Sequence, residues 1–460
     1  MKMSAWIDEF DLRTDDDYLN IVMQTASWLA DHEHHTEEGI FWDVIADKTN
    51  SQDAVLTSEV SLYGGNAGIS LFFLRLYETT GDKDHLNRAI DGIRYAYRHI
   101  RESDYRDSAA GTLKGIAGGL YNGPAGVGFV SYLIYKLTGN EESREIAQII
   151  TDKIISSSAS DEDGICWSGA YGILSDGGLI LYLIWLFEQT GNSEYLELAE
   201  KAGRRIANKA ETVTDGRLSD KGVRWYAMDS EAFGLGPKGY FPGFFYGTAG
   251  TGYIMAKLYQ HTKDERFLNL AKGAAAYITS IAEVTEDSRA ALVRYNDPYK
   301  PDLYYLGVCQ GPAGTSRLFY LLYRLTDDIT YKEWVIRLTE GIINTGAPKI
   351  HSKGYWHTYN YCCGAAGMAE HFLAIYALTG EERYREQART SVETLIGDSV
   401  EDDGKRCWYS AWNRHAPDEV KAWSGLYVGS AGAASAILAF YNMAHDIRSL
   451  AGYIEDPFEK

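Results

Sequence analysis

The chain has 460 residues, 45% of them hydrophobic and 13% aromatic, which is enough to bury a large core. A formal charge of -20 argues against nucleic acid or an anionic membrane as partner, since phosphate binding needs clustered Lys and Arg, and it favours a neutral or basic peptide. Five cysteines, an odd number with two adjacent, do not make a disulfide framework and suit a reducing compartment with metal or thiol chemistry.

Met1 to Glu9 carry acids where a secretory signal would need a basic and then an apolar stretch, and no apolar run approaches bilayer-spanning length. A cytoplasmic protein without membrane insertion is expected. From about Asp15 to Ala30 apolar residues recur at helical spacing, predicting an amphipathic helix. It ends at His32-Glu33-His34-His35, which lacks the His-x-x-x-His spacing of a helical metal site and reads as a solvated helix end.

Beyond it one unit repeats seven times. Each begins with a glycine turn: Gly65-Asn66-Ala67-Gly68, Gly123-Pro124-Ala125-Gly126, Gly247-Thr248-Ala249-Gly250, Gly311-Pro312-Ala313-Gly314, Gly364-Ala365-Ala366-Gly367 and Gly429-Ser430-Ala431-Gly432, with Ser175-Asp176-Gly177-Gly178 third in order. A helix apolar nearly all round follows each turn and ends at Gly81, Gly139, Gly191 and Gly380, or at Lys263, Asp327 and His445 in the same register. Next come amphipathic helices, Asp84 to Ile100, Glu141 to Ile155, Ser193 to Ala210, Glu265 to Ala282, Tyr331 to Thr345 and Glu382 to Ile396.

The apolar helices should form an inner ring and the amphipathic ones an outer ring. Seven inner and six outer helices leave one partner missing, so the N-terminal helix is predicted to pair with the last inner helix, placing both termini at one seam. No Pro-, Ser- or charge-rich linker interrupts the repeats, and one all-α domain over 1–460 is expected. Loops with a Gly-x-x-Trp signature at Gly39, Gly164 and Gly222, and looser forms at Gly354 to Trp356 and Gly404 to Trp408, predict short hairpins on one rim, where ligand contacts usually lie. Gly234-Leu235-Gly236-Pro237-Lys238-Gly239 matches the dinucleotide fingerprint only formally, with a Pro and no strand–helix–strand unit around it, and is read as a loop.

The chemistry lies in the glycine turns of units five and six. Cys309 stands before Gly311, and Cys362-Cys363 stand directly before Gly364, so a closed ring brings the three thiols together. Three thiolates with an open fourth position describe a catalytic zinc site with Zn–S near ~2.3 Å, able to lower the pKa of a bound thiol. Cys166 and Cys407 each precede a Trp and are read as packing residues.

These turns, the thiols above all, resemble those of the lanthionine synthetase C-like proteins, and the resemblance runs through essentially the whole chain. It implies an (α/α)7 toroid with one zinc, held by Cys309, Cys362 and Cys363, the last standing where the family usually has His. It also implies addition of a peptide cysteine thiol to dehydroalanine or dehydrobutyrine, with a precursor peptide as substrate and a dehydratase as a candidate partner. Where such cyclases carry a His before the fourth-unit glycine and an Asp before the third, this chain has Tyr246 and Tyr171. Proton transfer then falls to Tyr246, Tyr171, Asp176, Asp229 or His357, with His357 preferred. Three other readings stand beside it: thiol addition with glutathione as donor, a zinc-stabilised scaffold, and a glycan-processing toroid using two rim carboxylates near Asp176 and Asp229.

Overall fold

The first five inner helices are each joined to the outer helix that follows by a corner of one build. A Thr ends the inner helix, a residue in the left-handed region follows, and an N-cap opens the outer helix: Thr80-Gly81-Asp82, Thr138-Gly139-Asn140, Thr190-Gly191-Asn192, Thr262-Lys263-Asp264 and Thr326-Asp327-Asp328. The Thr hydroxyl accepts the N-cap amide, as at Asp82, and the N-cap carboxylate or amide accepts the next helix's first-turn amides, as Asp82 does from Asp84 at 2.9 Å. The two helices are thereby folded back on each other within two residues. The seventh corner departs from the ruler: His445 has φ -105° and Asp446 takes the left-handed conformation one residue later.

The computed structural model describes residues 13–46, 59–105, 118–213, 222–226, 239–295, 302–411 and 416–458. Among them are fourteen α-helices. The inner ring is α2 (Asn66–Thr80), α4 (Pro124–Thr138), α6 (Asp176–Thr190), α8 (Thr248–Thr262), α10 (Pro312–Thr326), α12 (Ala365–Thr379) and α14 (Ser430–Ala444), each packed on the next and α14 on α2. The outer ring is α3 (Lys83–Arg98), α5 (Glu141–Ser156), α7 (Ser193–Asn208), α9 (Glu265–Ile281), α11 (Ile329–Asn344), α13 (Glu382–Gly397) and α1 (Asp15–Asp31), which packs on α14 as expected. The expected double-ring toroid is the fold.

Close approach at the second glycine of each turn holds the inner ring together. A Cβ on Gly314 would lie 1.8 Å from the Val308 carbonyl and 2.8 Å from the Phe244 side chain of the preceding unit. The same contact closes the circle, since a Cβ on Gly68 of the first unit would lie 2.8 Å from Leu426 of the last.

Small antiparallel hairpins lie before the inner helices: β1–β2 (Glu33–Thr36, Gly39–Trp42), β3–β4 (Ala159–Asp161, Gly164–Cys166), β5–β6 (Glu211–Val213, Gly222–Arg224), β7–β8 (Glu283–Val284, Ala291–Leu292) and β11–β12 (Val400–Asp402, Lys405–Cys407). The second strand of each lies on the outer helix of the unit it introduces, and β12 lies on α1, so the hairpins too treat α1 as the seventh outer helix. The Trp of the signature is structural. Its indole N–H donates to the last turn of the preceding outer helix, from Trp42 to Leu29 at 2.9 Å, Trp167 to Ile154 at 2.8 Å, Trp225 to Ile206 at 3.0 Å and Trp408 to Leu395 at 2.7 Å.

Two expectations need correction. The Gly354 loop makes no hairpin: β10 (Tyr355–Trp356) pairs in parallel with β9 (Tyr304–Tyr305) of the preceding unit. The chain also does not stop at the seam, because after α14 it enters the inner ring. Tyr453 stacks on Tyr361 at 4.0 Å, Phe458 on Tyr320 at 4.2 Å, and fully buried Glu455 pairs with Arg317 of α10 at 3.3 Å. Arg317 and Arg75, buried charges on inner helices, find carboxylates there in Glu455 and Glu370.

Candidate metal centre

Superposing the glycine turns by sequence puts Tyr63, Tyr121, Ile173, Phe245, Cys309, Cys362 and Tyr427 in one slot, five places before the second glycine. The backbone at this slot is bonded around the ring. The Phe245 amide donates to the Cys309 carbonyl at 2.8 Å, Cys309 to Cys362 at 2.9 Å, Cys362 to Tyr427 at 2.9 Å, Tyr427 to Tyr63 at 2.8 Å and Tyr63 to Tyr121 at 2.9 Å. Cysteines in two adjacent slots therefore meet. Cys363, the next residue, is held by its amide donating to Asn360 Oδ1 at 2.8 Å.

The Sγ atoms of Cys309, Cys362 and Cys363 all lie within 4.8 Å of one another, the one such cluster of metal-ligating side chains among the described residues. Cys309 and Cys363 are 3.3 Å apart and Cys363 and Cys362 3.6 Å, so all three are free thiols at non-bonded separations. A tetrahedral ion with ~2.3 Å bonds to sulfur needs donors about 3.8 Å apart, which these nearly satisfy before any adjustment. Cys309 and Cys362 are buried and Cys363 is half-buried. Burial pushes the Cys309 and Cys362 thiols well above their ordinary pKa, so in the bare protein these two are protonated, and a cation is what would make them thiolates.

Tyr63, not foreseen from the sequence, supplies a fourth contact. Its hydroxyl donates to Cys362 Sγ at 3.0 Å, and its ring lies parallel to Tyr427 with centroids 5.3 Å apart. Burial, and after it the neighbouring Cys362, pushes its hydroxyl pKa well up. Its slot is shared with Cys309 and Cys362, but Tyr121 and Tyr427 share it equally, so the sequence does not single it out.

Among the described residues considered for proton transfer, Tyr246 is the one whose hydroxyl feels a cluster sulfur, Cys309. It follows Phe244 and Phe245, whose amides both donate to the Cys309 carbonyl, and its hydroxyl pairs with that of Tyr295 at 2.8 Å. Burial raises its pKa strongly, with Tyr295, Tyr305 and Cys309 adding to the effect. His357 is not brought into the sulfur cluster. It is stacked on His351 at 4.0 Å with Nε2 against the Ile350 carbonyl at 3.2 Å, and burial depresses its pKa to about 4.

Asp176 proves to be a loop anchor. Its carboxylate accepts from the amides of Trp167, Ser168 and Gly169 at 3.1, 2.8 and 3.1 Å and from the Ser168 hydroxyl at 2.6 Å. Burial pushes its pKa up against the pull of those four bonds. Asn66 and Ser430, first in their inner helices as Asp176 is in its own, accept the Trp42 and Trp408 amides in the same way. Tyr171 is half-buried beside Lys209 and Arg205, and burial raises its pKa. Asp229 and most of the Gly234 to Gly239 loop lie outside the described residues. Asp176, held by four donors, offers no free acid to a carboxylate pair.

Fold and site together define a seven-unit helical toroid with a cluster of three thiols, able to hold a metal ion, at the mouth of its inner ring. The chain belongs to the lanthionine synthetase C-like protein family, whose model matches residues 57–448. Among solved structures it is similar to nisin cyclase, with a TM-score of 0.59 and 15% identity over 94% of this chain and 95% of that one. D-mannose isomerase gives a TM-score of 0.42 at 17% identity over 72% and 87% of the two chains. An alpha-1,6-mannanase from Salegentibacter sp. HEL1_6 gives 0.42 at 12% over 93% and 99%. No curated protein matches. Among the described residues no helix is long and apolar enough to cross a membrane.

Proposed function

We propose that the protein is a zinc-dependent cyclase that adds a cysteine thiol of a precursor peptide to dehydroalanine or dehydrobutyrine, forming a thioether ring. The convergence of Cys309, Cys362 and Cys363 within 4.8 Å, with Cys363 half-buried, carries the reading. Family membership and the fold shared with nisin cyclase support it.

Cys309, Cys362 and Cys363 would hold the zinc, which when bound supplies a Lewis acid that lowers the pKa of a substrate thiol. In the addition the thiol loses its proton, a carbon–sulfur bond forms at the β-carbon, the carbon–carbon π bond breaks, and the enolate takes a proton at the α-carbon. Tyr246 is the proton donor this arrangement favours, since burial keeps its hydroxyl protonated beside Cys309. The surrounding aromatic side chains, Phe241 at 5.4 Å from Tyr246 and Tyr295 at 4.3 Å from Tyr305, limit water on that side.

The test is incubation of zinc-loaded protein with a dehydrated, cysteine-containing peptide, with and without glutathione. Cyclisation leaves the mass unchanged and removes a thiol from reach of an alkylating reagent, whereas glutathione addition raises the mass. A peptide that keeps both its thiol and its mass in both incubations would leave only the scaffold reading.

A further inference from the structure

The first repeat unit carries none of the three sulfurs, yet its turn reaches them. Tyr63 shares its slot with Cys362 two units away, and its side chain passes across the face of Tyr427 to place its hydroxyl 3.0 Å from Cys362 Sγ. Three restraints fix that hydroxyl. The Tyr63 amide is bound to the Tyr121 carbonyl, the Tyr63 carbonyl accepts the Tyr427 amide at 2.8 Å, and the ring is parallel to Tyr427 within 8°. Tyr427 is itself held by its hydroxyl on buried Glu455 at 3.1 Å, in the segment that fills the inner ring.

Three thiolates around a divalent cation leave a net charge of -1, and a hydrogen bond to one sulfur withdraws electron density from that bond. We infer that Tyr63 is a positioning residue of the metal centre: by donating to Cys362 it fixes that sulfur's direction and weakens its donation to the ion, leaving the ion a stronger acid toward an incoming thiol. The inference rests on the metal reading proposed above. It gives the first unit a part in the site.

Cobalt(II) uptake by the full chain tests it, because sulfur-to-metal charge-transfer bands report the electron density on the thiolates. Tyr63→Phe is expected to move the band to longer wavelength. Tyr182→Phe, which removes a buried hydroxyl paired instead with Thr151 at 2.9 Å, should leave the band in place. A 3-fluorotyrosine placed at position 63 keeps the ring's shape and makes the hydroxyl a stronger donor, so its band should move to shorter wavelength even if the Phe variant fails to fold. A wild-type chain that takes up no cobalt overturns the metal centre and this inference together. Uptake with an unmoved band in the fluorinated protein overturns the inference alone.

Discussion

The amide of Cys309 donates to the carbonyl of Cys362 at 2.9 Å, so two of the three sulfur-bearing residues are joined through the backbone independently of any ion. The centre is thus pre-formed by the ring of turns, unlike small zinc modules in which the metal is the core. Removing zinc with a chelator should leave the helical circular dichroism unchanged while the melting temperature falls. The loss corresponds to about 4 kcal/mol if zinc is present at ~1,000 times its dissociation constant. Cys309→Ala should keep the fold and lose the ion, from about one per chain to almost none by elemental analysis. A chain that unfolds on chelation would show the metal to be structural.

On the cyclase reading, replacing Tyr246 should separate metal binding from proton transfer. Its hydroxyl hydrogen-bonds to Tyr295 at 2.8 Å, but it is not one of the clustered sulfur residues. Tyr246→Phe should therefore retain zinc while the rate of ring formation falls by roughly 10²-fold, the usual scale for loss of a positioned acid. Equal loss of rate and of zinc would show that Tyr246 supports the site only structurally.

Asp176 was expected at the rim as an acid, and the structure turns it into a test of stability. Asp176→Ala strips four donors in the 167–169 loop of their acceptor, which should cost about 2–4 kcal/mol in urea denaturation. Zinc content should not change. A variant of unaltered stability that is inactive would return Asp176 to the chemistry.

The helical ring was legible because its parts repeat. A glycine turn, an apolar helix, a helix end and an amphipathic helix recur in one register, and local propensity and tertiary packing agree at each. The sulfurs were legible for the same reason, since Cys309 and Cys362 stand in equivalent positions. Tyr63 was hidden because its reach depends on a rotamer and on Tyr427 beneath it, and the entry of Tyr453 and Glu455 into the ring because the segment after His445 has no periodicity to read. The capping role of the Trp in Gly-x-x-Trp was not legible, because an indole capping a helix end and an indole lining a pocket look alike in sequence.

Gly314 and Gly81 are both glycines at helix ends but for different reasons, and alanine should tell them apart. At Gly314 a methyl group would sit 1.8 Å from the Val308 carbonyl, so the ring itself must shift, and a loss of about 3 kcal/mol or more is expected. At Gly81 nothing lies within 4 Å and only the left-handed φ of 70° resists, a cost of about 1 kcal/mol. Lys263 and Asp327, at the same corner with φ of 58° and 54°, show that this smaller cost is tolerated. Thermal melts of the two variants should differ in that order, and a Gly314→Ala protein as stable as Gly81→Ala would mean that the turns are not in close contact.

His371, on α12, makes the fold sensitive to acid. Its Nε2 faces the Thr339 hydroxyl at 2.9 Å, and burial, with the positive charge of Arg317 adding to it, depresses its pKa to about 3. In the unfolded chain the same imidazole titrates near ~6.5. Between those values the unfolded state binds a proton that the folded state refuses, so stability is full above the unfolded value and is lost as the pH falls, by up to about 1.4 kcal/mol per unit. His357, depressed to about 4, acts in the same direction over the upper part of that window. His371→Gln keeps a partner for Thr339 and removes the titration. Urea midpoints at pH 7, 6 and 5 should fall less steeply for this variant than for the wild type, and parallel slopes would show that His371 is already protonated in the folded protein or that its site opens to water.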